Sequence, residues 1–304
     1  MPRAGIKTLA GAPTRSRDFR HRAHELFVDG YCVIDDVLGQ EDLARLRAIC
    51  GAQTVDAERK FPGDGFLGHV TDVSALPELG WFVGLEQHYA LLRALGCPDP
   101  KWFMGFVIQK PPHSPGLYWH QDWWGWSDEV SFGDRPPLLV LAFYLRDVGT
   151  ENGCLRVLRG THRRRHALHA EMGRTAELLG DDGERRAHPL LASLPDAVDV
   201  PVRAGDMVVQ DARLLHATHP NASPDWRPMI FLSVIPDMAW LSEAVQATVE
   251  IKRPKVERSW PAQHYDLVCA RQARYHGTAA PALINRTALP RGSGAQADGA
   301  TRVR

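Results

Sequence analysis

The sequence predicts a mainly β protein, an antiparallel core flanked by helices. Short apolar runs recur after about residue 100, each bounded by Pro, Gly, Asn or Asp turn signals. No helical pattern alternates with those runs, as a parallel α/β sheet would require. Helical periodicity instead concentrates ahead of residue 97, and the strand pattern stops near residue 236.

Taken in order, residues 1–17 read as a loose leader, whose Arg3, Arg15 and Arg17 without an apolar stretch make no secretory signal. Helices are predicted from Asp18 to about Asp29 and from Gln40 to about Ala57, the second behind a Gly39-Gln40-Glu41-Asp42 start. Between them Tyr31-Cys32-Val33-Ile34 reads as a strand, and a third helix is expected from Trp81 to Leu95. Strands then follow at 102–110, 117–123, 137–146, 154–158, 198–202, 206–210 and 228–236. The segment 163–197 interrupts them with a helix near Ala167–Leu179 and a polar stretch from Gly180; it is expected to form a lid over a site. The predicted organisation is one domain over 18–290. It has a helical part at 18–97, a core at about 98–236 and a C-terminal extension at 237–290; a Gly/Ser/Ala-rich tail at 291–304 is expected to be disordered.

Composition limits the function. Apolar residues make up 44% of the chain, enough for a sizeable core, and 36 basic residues balance 36 acidic ones. That balance gives no broad attraction to nucleic acid or an anionic membrane, so the expected partner is a small-molecule substrate. Oligomeric state is not legible. Five scattered cysteines without a CxxC pair fit a reducing compartment, and no apolar stretch approaches spanning length; a cytoplasmic location is expected.

The chemistry concentrates in His120-Gln121-Asp122, with His216 and Arg227 downstream. Two imidazoles and a carboxylate make the facial triad that holds non-haem Fe(II) and leaves coordination positions open. An Arg just past the second His could hold the far carboxylate of 2-oxoglutarate, because its planar fork binds carboxylates bidentately and stays charged when desolvated. The HxD pair alone is weak: 14 histidines and 36 acidic residues supply between one and two such pairs by chance. His169/Glu171 lies in a helical pattern, where residues two apart do not face one another. His264/Asp266 has its next His only at 276, too close to leave room for barrel strands. On an extended strand, by contrast, His120 and Asp122 face the same side. His216 at a strand end and Arg227 at the start of the next antiparallel strand could sit side by side across a sheet. His219 competes with His216. His162 reads as a structural turn, His113 as exposed and Arg163-Arg164-Arg165 as a solvated run that could receive an anionic handle. Trp119, Trp123, Trp124 and Trp126 crowd the motif, and the first three are candidates to line a substrate pocket as much as to plug the barrel.

Three blocks together resemble the phytanoyl-CoA dioxygenase-like Fe(II)/2-oxoglutarate oxygenases: His120-Gln121-Asp122-Trp123; Glu151-Asn152-Gly153-Cys154 through Gly160-Thr161-His162; and Gly205-Asp206 through His216 and Asn221 to Arg227. The match spans roughly residues 20–236. It implies a double-stranded β-helix (jelly-roll, cupin-like) core, iron held by His120, Asp122 and His216, and 2-oxoglutarate held by Arg227 and Thr218, with Gln109 a further contact. The His-to-Asn spacing of the family favours His216 over His219. The implied reaction consumes O2 and 2-oxoglutarate, releases succinate and CO2, and oxidises an unactivated C–H bond. Related halogenases replace the carboxylate ligand by a small residue; Asp122 is retained, which favours hydroxylation. A cupin-like hydrolase, isomerase or ligand-binding protein could use the same three residues, but has no need of the Arg227–Thr218 clamp.

Overall fold

A computed structural model describes residues 18–53, 69–172, 188–256 and 260–285. The leader, the end of the second predicted helix, the Gly180 stretch and the tail lie outside them. Among the described residues nine strands form two antiparallel sheets: β1 Tyr31–Ile34, β2 His69–Asp72, β3 Lys101–Lys110, β4 Leu139–Tyr144, β5 Leu155–Val157, β6 Val198–Val200, β7 Met207–Asp211, β8 His216–Thr218 and β9 Arg227–Ile235. The large sheet runs β1-β7-β4-β9-β3-β2 and the small one β6-β5-β8, giving the jelly-roll sandwich. Helices α1 Phe19–Asp29, α2 Gln40–Gln53, α3 Gly80–Val83, α4 Glu86–Ala94, α5 Glu243–Lys252 and α6 Ala262–Arg271 accompany them.

The outer face of the large sheet carries Val107, Leu141, Phe143, Val209, Ile230, Leu232 and Val234, packed against Leu43, Leu46, Phe82, Tyr89 and Leu92 of the N-terminal helices. A second cluster fills the sandwich, with Ala142, Tyr144 and Val208 meeting Leu155, Val157 and Val200. The predicted strands hold to within a residue or two except one: 117–123 is irregular, touching β8 at an isolated bridge between His120 and His216 and at Leu117 and Thr218, without a ladder. Pro111, Pro112 and Pro115 delay its pairing, and Asp122 and Trp123 turn away to donate to the Ala212 carbonyl at 2.8 and 2.9 Å. The predicted 81–95 helix is split at Gly84-Leu85 into α3 and α4. Strands β2 and β8, of four and three residues, are additional to the predicted set.

The glycine motifs are architectural. Gly205, at φ +98, turns β6 into β7 where a Cβ would lie 2.8 Å from the Leu38 carbonyl. Asp206 closes that turn by accepting from Arg203 N at 2.8 Å and Asp36 N at 3.1 Å. The described ends of the 163–197 segment do not cover the sandwich opening. Leu168, Met172 and Leu190 pack with Trp119, Leu158, Leu215 and Ala217, on the outside of the small sheet; residues 173–187, the middle of the expected lid, lie outside the described residues. Among the described residues, no helix is long and apolar enough to cross a membrane.

Candidate metal centre

Reciprocal hydrogen bonds join the backbones of His120 and His216, His120 N to His216 O at 2.9 Å and the converse at 3.0 Å. Each ring is then oriented identically: Nδ1 lies 2.8 Å from the Tyr118 carbonyl in His120 and 2.9 Å from the Leu214 carbonyl in His216. A carbonyl can only accept, so both Nδ1 atoms carry the proton and both Nε2 lone pairs point inward, the arrangement a metal requires. Asp122 Oδ1 is 3.7 Å from His120 Nε2, and Oδ2 is 3.4 Å from His216 Nε2. The three donor atoms lie within 4.8 Å of one another, and they form the only such group among the described residues. Donors at ~2.1 Å from one ion would stand ~3 Å apart, so the set fits a single cation with slight closure. Asp122 Oδ2 is buried with no hydrogen-bond donor, as a ligand atom would be. Burial, then the neighbouring His216, push His120 down to about 4, so the ring stays neutral and able to ligate.

The shell behind the donors is polar and largely hydrogen-bonded. Arg213, fully buried, pairs with Asp211 through Nη2 at 2.6 Å and Nε at 3.0 Å, while Nη1 donates to the Ser131 and Gly133 carbonyls at 3.0 and 2.8 Å. That pair brackets Ala212, whose carbonyl holds Asp122 N. Gln121 turns away from the donors, its amide to the Arg213 carbonyl and to His169 Nε2 at 3.3 Å. Gln210, buried on the inner face of β7, brings its amide within 3.4 Å of His216 Nε2.

A basic pocket faces these donors. Arg227 is 2% exposed, its Nε and Nη1 have no hydrogen-bond partner, and its guanidinium carbon lies 5.7 Å from the Tyr144 ring centroid. Lys110 is its register partner on β3, with Nζ 2.6 Å from the Pro115 carbonyl and 3.4 Å from Thr218 Oγ1. Thr218 Oγ1 accepts from Leu117 N at 3.0 Å. Burial, then the charge of Arg227, push Lys110 down to about 7; burial lowers Arg227 also. Two buried cations side by side, one with open donors, make a receptor for a carboxylate. His216 and Arg227 lie in opposite sheets, β8 in the small one and β9 in the large one, and not side by side in one sheet as expected. The Asn-Gly and His-to-Asn blocks build this pocket. Gly153, at φ +90, lies where a Cβ would come 2.9 Å from Lys110 Cδ. Asn221, fully buried, ties the Pro111 and Asp225 carbonyls together at 2.8 Å each, fixing the approach to Arg227.

Other predicted residues lie elsewhere. Gln109 is one residue out of phase with Lys110, so strand alternation turns it to the helices, where its amide donates to the Cys50 carbonyl at 2.6 Å; it does not reach the pocket. Lys110 stands in the pocket instead, and only the β3–β9 register reveals it. Trp119 points outward under the Arg156 guanidinium, 5.4 Å away, and donates to the Ala192 carbonyl at 3.0 Å. Trp123 is fully buried, donates to Ser131 Oγ at 2.8 Å and stacks on Trp124. Both plug the structure; neither lines a cavity. Trp124 belongs to the same cluster, onto which Met104 and Phe231 pack. His219 faces out to Asp199 at 2.7 Å. His162 is buried near the Phe27 carbonyl, His113 is exposed, and Arg163 meets Asp134 at the surface. His264 sits on α6 against the Pro77 carbonyl.

A jelly roll with two inward His and one Asp, facing a buried basic clamp, defines the non-haem metal enzymes that take a carboxylate co-substrate. The phytanoyl-CoA dioxygenase (PhyH) family profile matches residues 27–229, and the chain belongs to this family. It is an Fe(II)/2-oxoglutarate-dependent enzyme, and the donor set and clamp fit both groups. No curated protein sequence matches the chain. Solved structures share the fold at low identity. The epimerase SnoN, in complex with Fe3+, alpha ketoglutarate and nogalamycin RO, is 21% identical with TM-score 0.54, covering 71% of this chain and 83% of its own. HygX from Streptomyces hygroscopicus, with nickel and 2-oxoglutarate bound, is 18% identical with TM-score 0.56, covering 74% and 89%. The carbocyclase SnoK from nogalamycin biosynthesis is 21% identical with TM-score 0.52, covering 74% and 87%.

Proposed function

We propose that residues 18–290 act as one cytoplasmic oxygenase unit that hydroxylates an unactivated C–H bond of a small-molecule metabolite. In this reading His120, Asp122 and His216 hold Fe(II), and Arg227, Thr218 and Lys110 hold the far carboxylate of 2-oxoglutarate. The supporting observation is the buried Arg227 guanidinium with Nε and Nη1 unpartnered, facing the three donors. A hydrolase or isomerase would leave that charge buried and uncompensated, at a cost of several kcal/mol. Fe(II) and 2-oxoglutarate, when bound, supply a route from O2 to an oxidant able to break such a bond, with release of succinate and CO2.

The protein's own groups do little proton transfer. The Tyr118 and Leu214 carbonyls fix the imidazole tautomers, Arg227 and Lys110 neutralise and orient the dicarboxylate, and the apolar sandwich excludes water. Retention of Asp122 supports oxygen transfer over halogenation. The free cysteines fit the reducing compartment.

Anaerobic titration with Fe(II) and 2-oxoglutarate should produce a weak visible charge-transfer band. His216→Ala should abolish it and His219→Ala should leave it; the reverse result reassigns the ligand, and absence of the band in the unmodified protein refutes the reading. Hydroxylation is separated from epimerisation or ring formation by one 18O atom from labelled O2 in the product, with succinate released in equal amount.

A further inference from the structure

The small sheet covers only part of the large sheet's inner face. Over β4 and β7, the inward residues Val140, Ala142, Tyr144, Val208 and Gln210 are buried. Over β3 and β9, Met104, Phe106, Ile108, Met229 and Phe231 are only half-buried. The register places these five on the face that carries Lys110 and Arg227, and the Phe106 and Phe231 rings meet there at 6.0 Å. The burial pattern of β3 and β9 thus runs opposite to that of a sheet with a filled interior. In the middle of the two strands Gly105, Val107, Gln109, Ile230 and Leu232, turned to the helices, are buried, while the five inward residues keep open surface; Lys110, Arg227, Ser233 and Ile235, also inward, are buried and bound the open stretch.

Half-open apolar side chains in the middle of a sheet's inner face form the floor of a cleft. This floor borders both halves of the site. Met229 and Ile108 lie one inward step along their strands from Arg227 and Lys110. Phe231 lies two strands, or about 10 Å, from β7, whose Gln210 approaches His216. None of the five side chains is charged or carries a hydroxyl. The cations at the end of this face serve the co-substrate, and Asp72, opposite Phe106 on β2, uses Oδ1 to cap Ser74 N at 2.7 Å. A phosphate, sugar or ammonium laid on such a floor would lose its water without replacement. Flat rings gain from edge and face contacts with Phe and from the adaptable methionine thioethers.

We propose that this face of β3 and β9 is the substrate floor, and that the substrate presents to it an uncharged aromatic or polycyclic ring system. The inference rests on the oxygenase reading above and narrows it, excluding sugars, amines and nucleotide-bearing thioesters as the part held over the floor.

The test titrates N-phenyl-1-naphthylamine, a neutral dye that brightens in apolar surroundings, into the enzyme loaded anaerobically with Fe(II) and 2-oxoglutarate. The dye should bind saturably, perturb the charge-transfer band, and be displaced by anthraquinone but not by glucose or acetyl-CoA. Phe106→Ala and Phe231→Ala should each weaken it roughly tenfold while keeping the band, which reports an intact fold and loaded site. If either variant fails to fold, Met229→Gln, which keeps length and adds an amide, should give the same loss. Displacement by glucose or acetyl-CoA, or dye affinity unchanged in the folded variants, overturns the proposal. A missing band with dye binding that still depends on Phe106 and Phe231 overturns the iron reading but upholds the apolar floor.

Discussion

Arg227 and Lys110 stand in register on neighbouring strands, so each keeps the other's charge unfavourable until an anion arrives. Arg227→Met should therefore raise the Kd for 2-oxoglutarate by about 100-fold, the ~3 kcal/mol of a charge-assisted pair, while Fe(II) affinity changes little; calorimetry of both ligands checks this. Lys110 predicts a pH dependence. With its ammonium lowered to about 7 in the folded protein, the unfolded chain holds a proton that the folded one lacks from about pH 7 up to the ordinary lysine range. The penalty on the unliganded fold is thus full below pH 7 and relieved as pH rises. A bound dicarboxylate favours the charged form, so binding takes up a proton, and affinity should fall by up to tenfold per pH unit above about 7. Lys110→Met should flatten that slope; an equally steep slope in the variant would assign the proton elsewhere. Gly153→Ala forces a side chain into positive φ against the lysine stem. It should cost about 1–2 kcal/mol in thermal unfolding and weaken 2-oxoglutarate without changing Fe(II) binding.

At the scale of elements, the site is built by three short segments that a strand pattern barely marks. β8 pairs with β5 on one side and on the other meets the 114–120 segment through His120 and Leu117, without a continuous ladder. The metal donors thus sit at the edge of the small sheet, and the loop carrying Asp122 is held from behind by the Asp211–Arg213 pair. Arg213→Met leaves Asp211 buried and uncompensated, and should destabilise the protein by about 3–5 kcal/mol. Fe(II) affinity should fall by roughly 10–100-fold through loss of ligand support. An Asp211→Leu/Arg213→Met double variant should recover much of the stability but not the metal affinity; recovery of both would confine the pair to a folding role.

The molecule as a whole encloses the sandwich asymmetrically: N-terminal helices seal the outer face of the large sheet, and the C-terminal segment straps the Trp-rich loop. Ala273 N donates to Trp102 O at 2.8 Å and Asn285 N to Trp124 O at 2.9 Å, while Ala282 N bonds Ala244 O at 2.9 Å. Removing residues from 272 onward should lower Tm by roughly 5–10 °C and increase tryptophan exposure to a soluble quencher. An unchanged melt would show that the strap contributes nothing to the core. The C-terminal extension, marked in the sequence only by the loss of strand pattern, thus forms two helices and a clamp.

Local signals sufficed for much of this. Turn residues and apolar runs located most strands, and the HxD motif with His216 and Arg227 named groups that the fold does bring together, because these depend on chain-local chemistry and spacing. The tertiary structure decided what depends on pairing. Strand phase alone cannot say which of Gln109 and Lys110 faces the pocket; the β3–β9 register does. Nor could composition tell a packing tryptophan from a lining one: Trp119 is held by Arg156 and the Ala192 carbonyl, and Trp123 by Ser131 and Trp124, contacts that only the fold sets. The sequence by itself determined the donors and their reaction class; the pairing of two sheets decided which neighbours share their cavity.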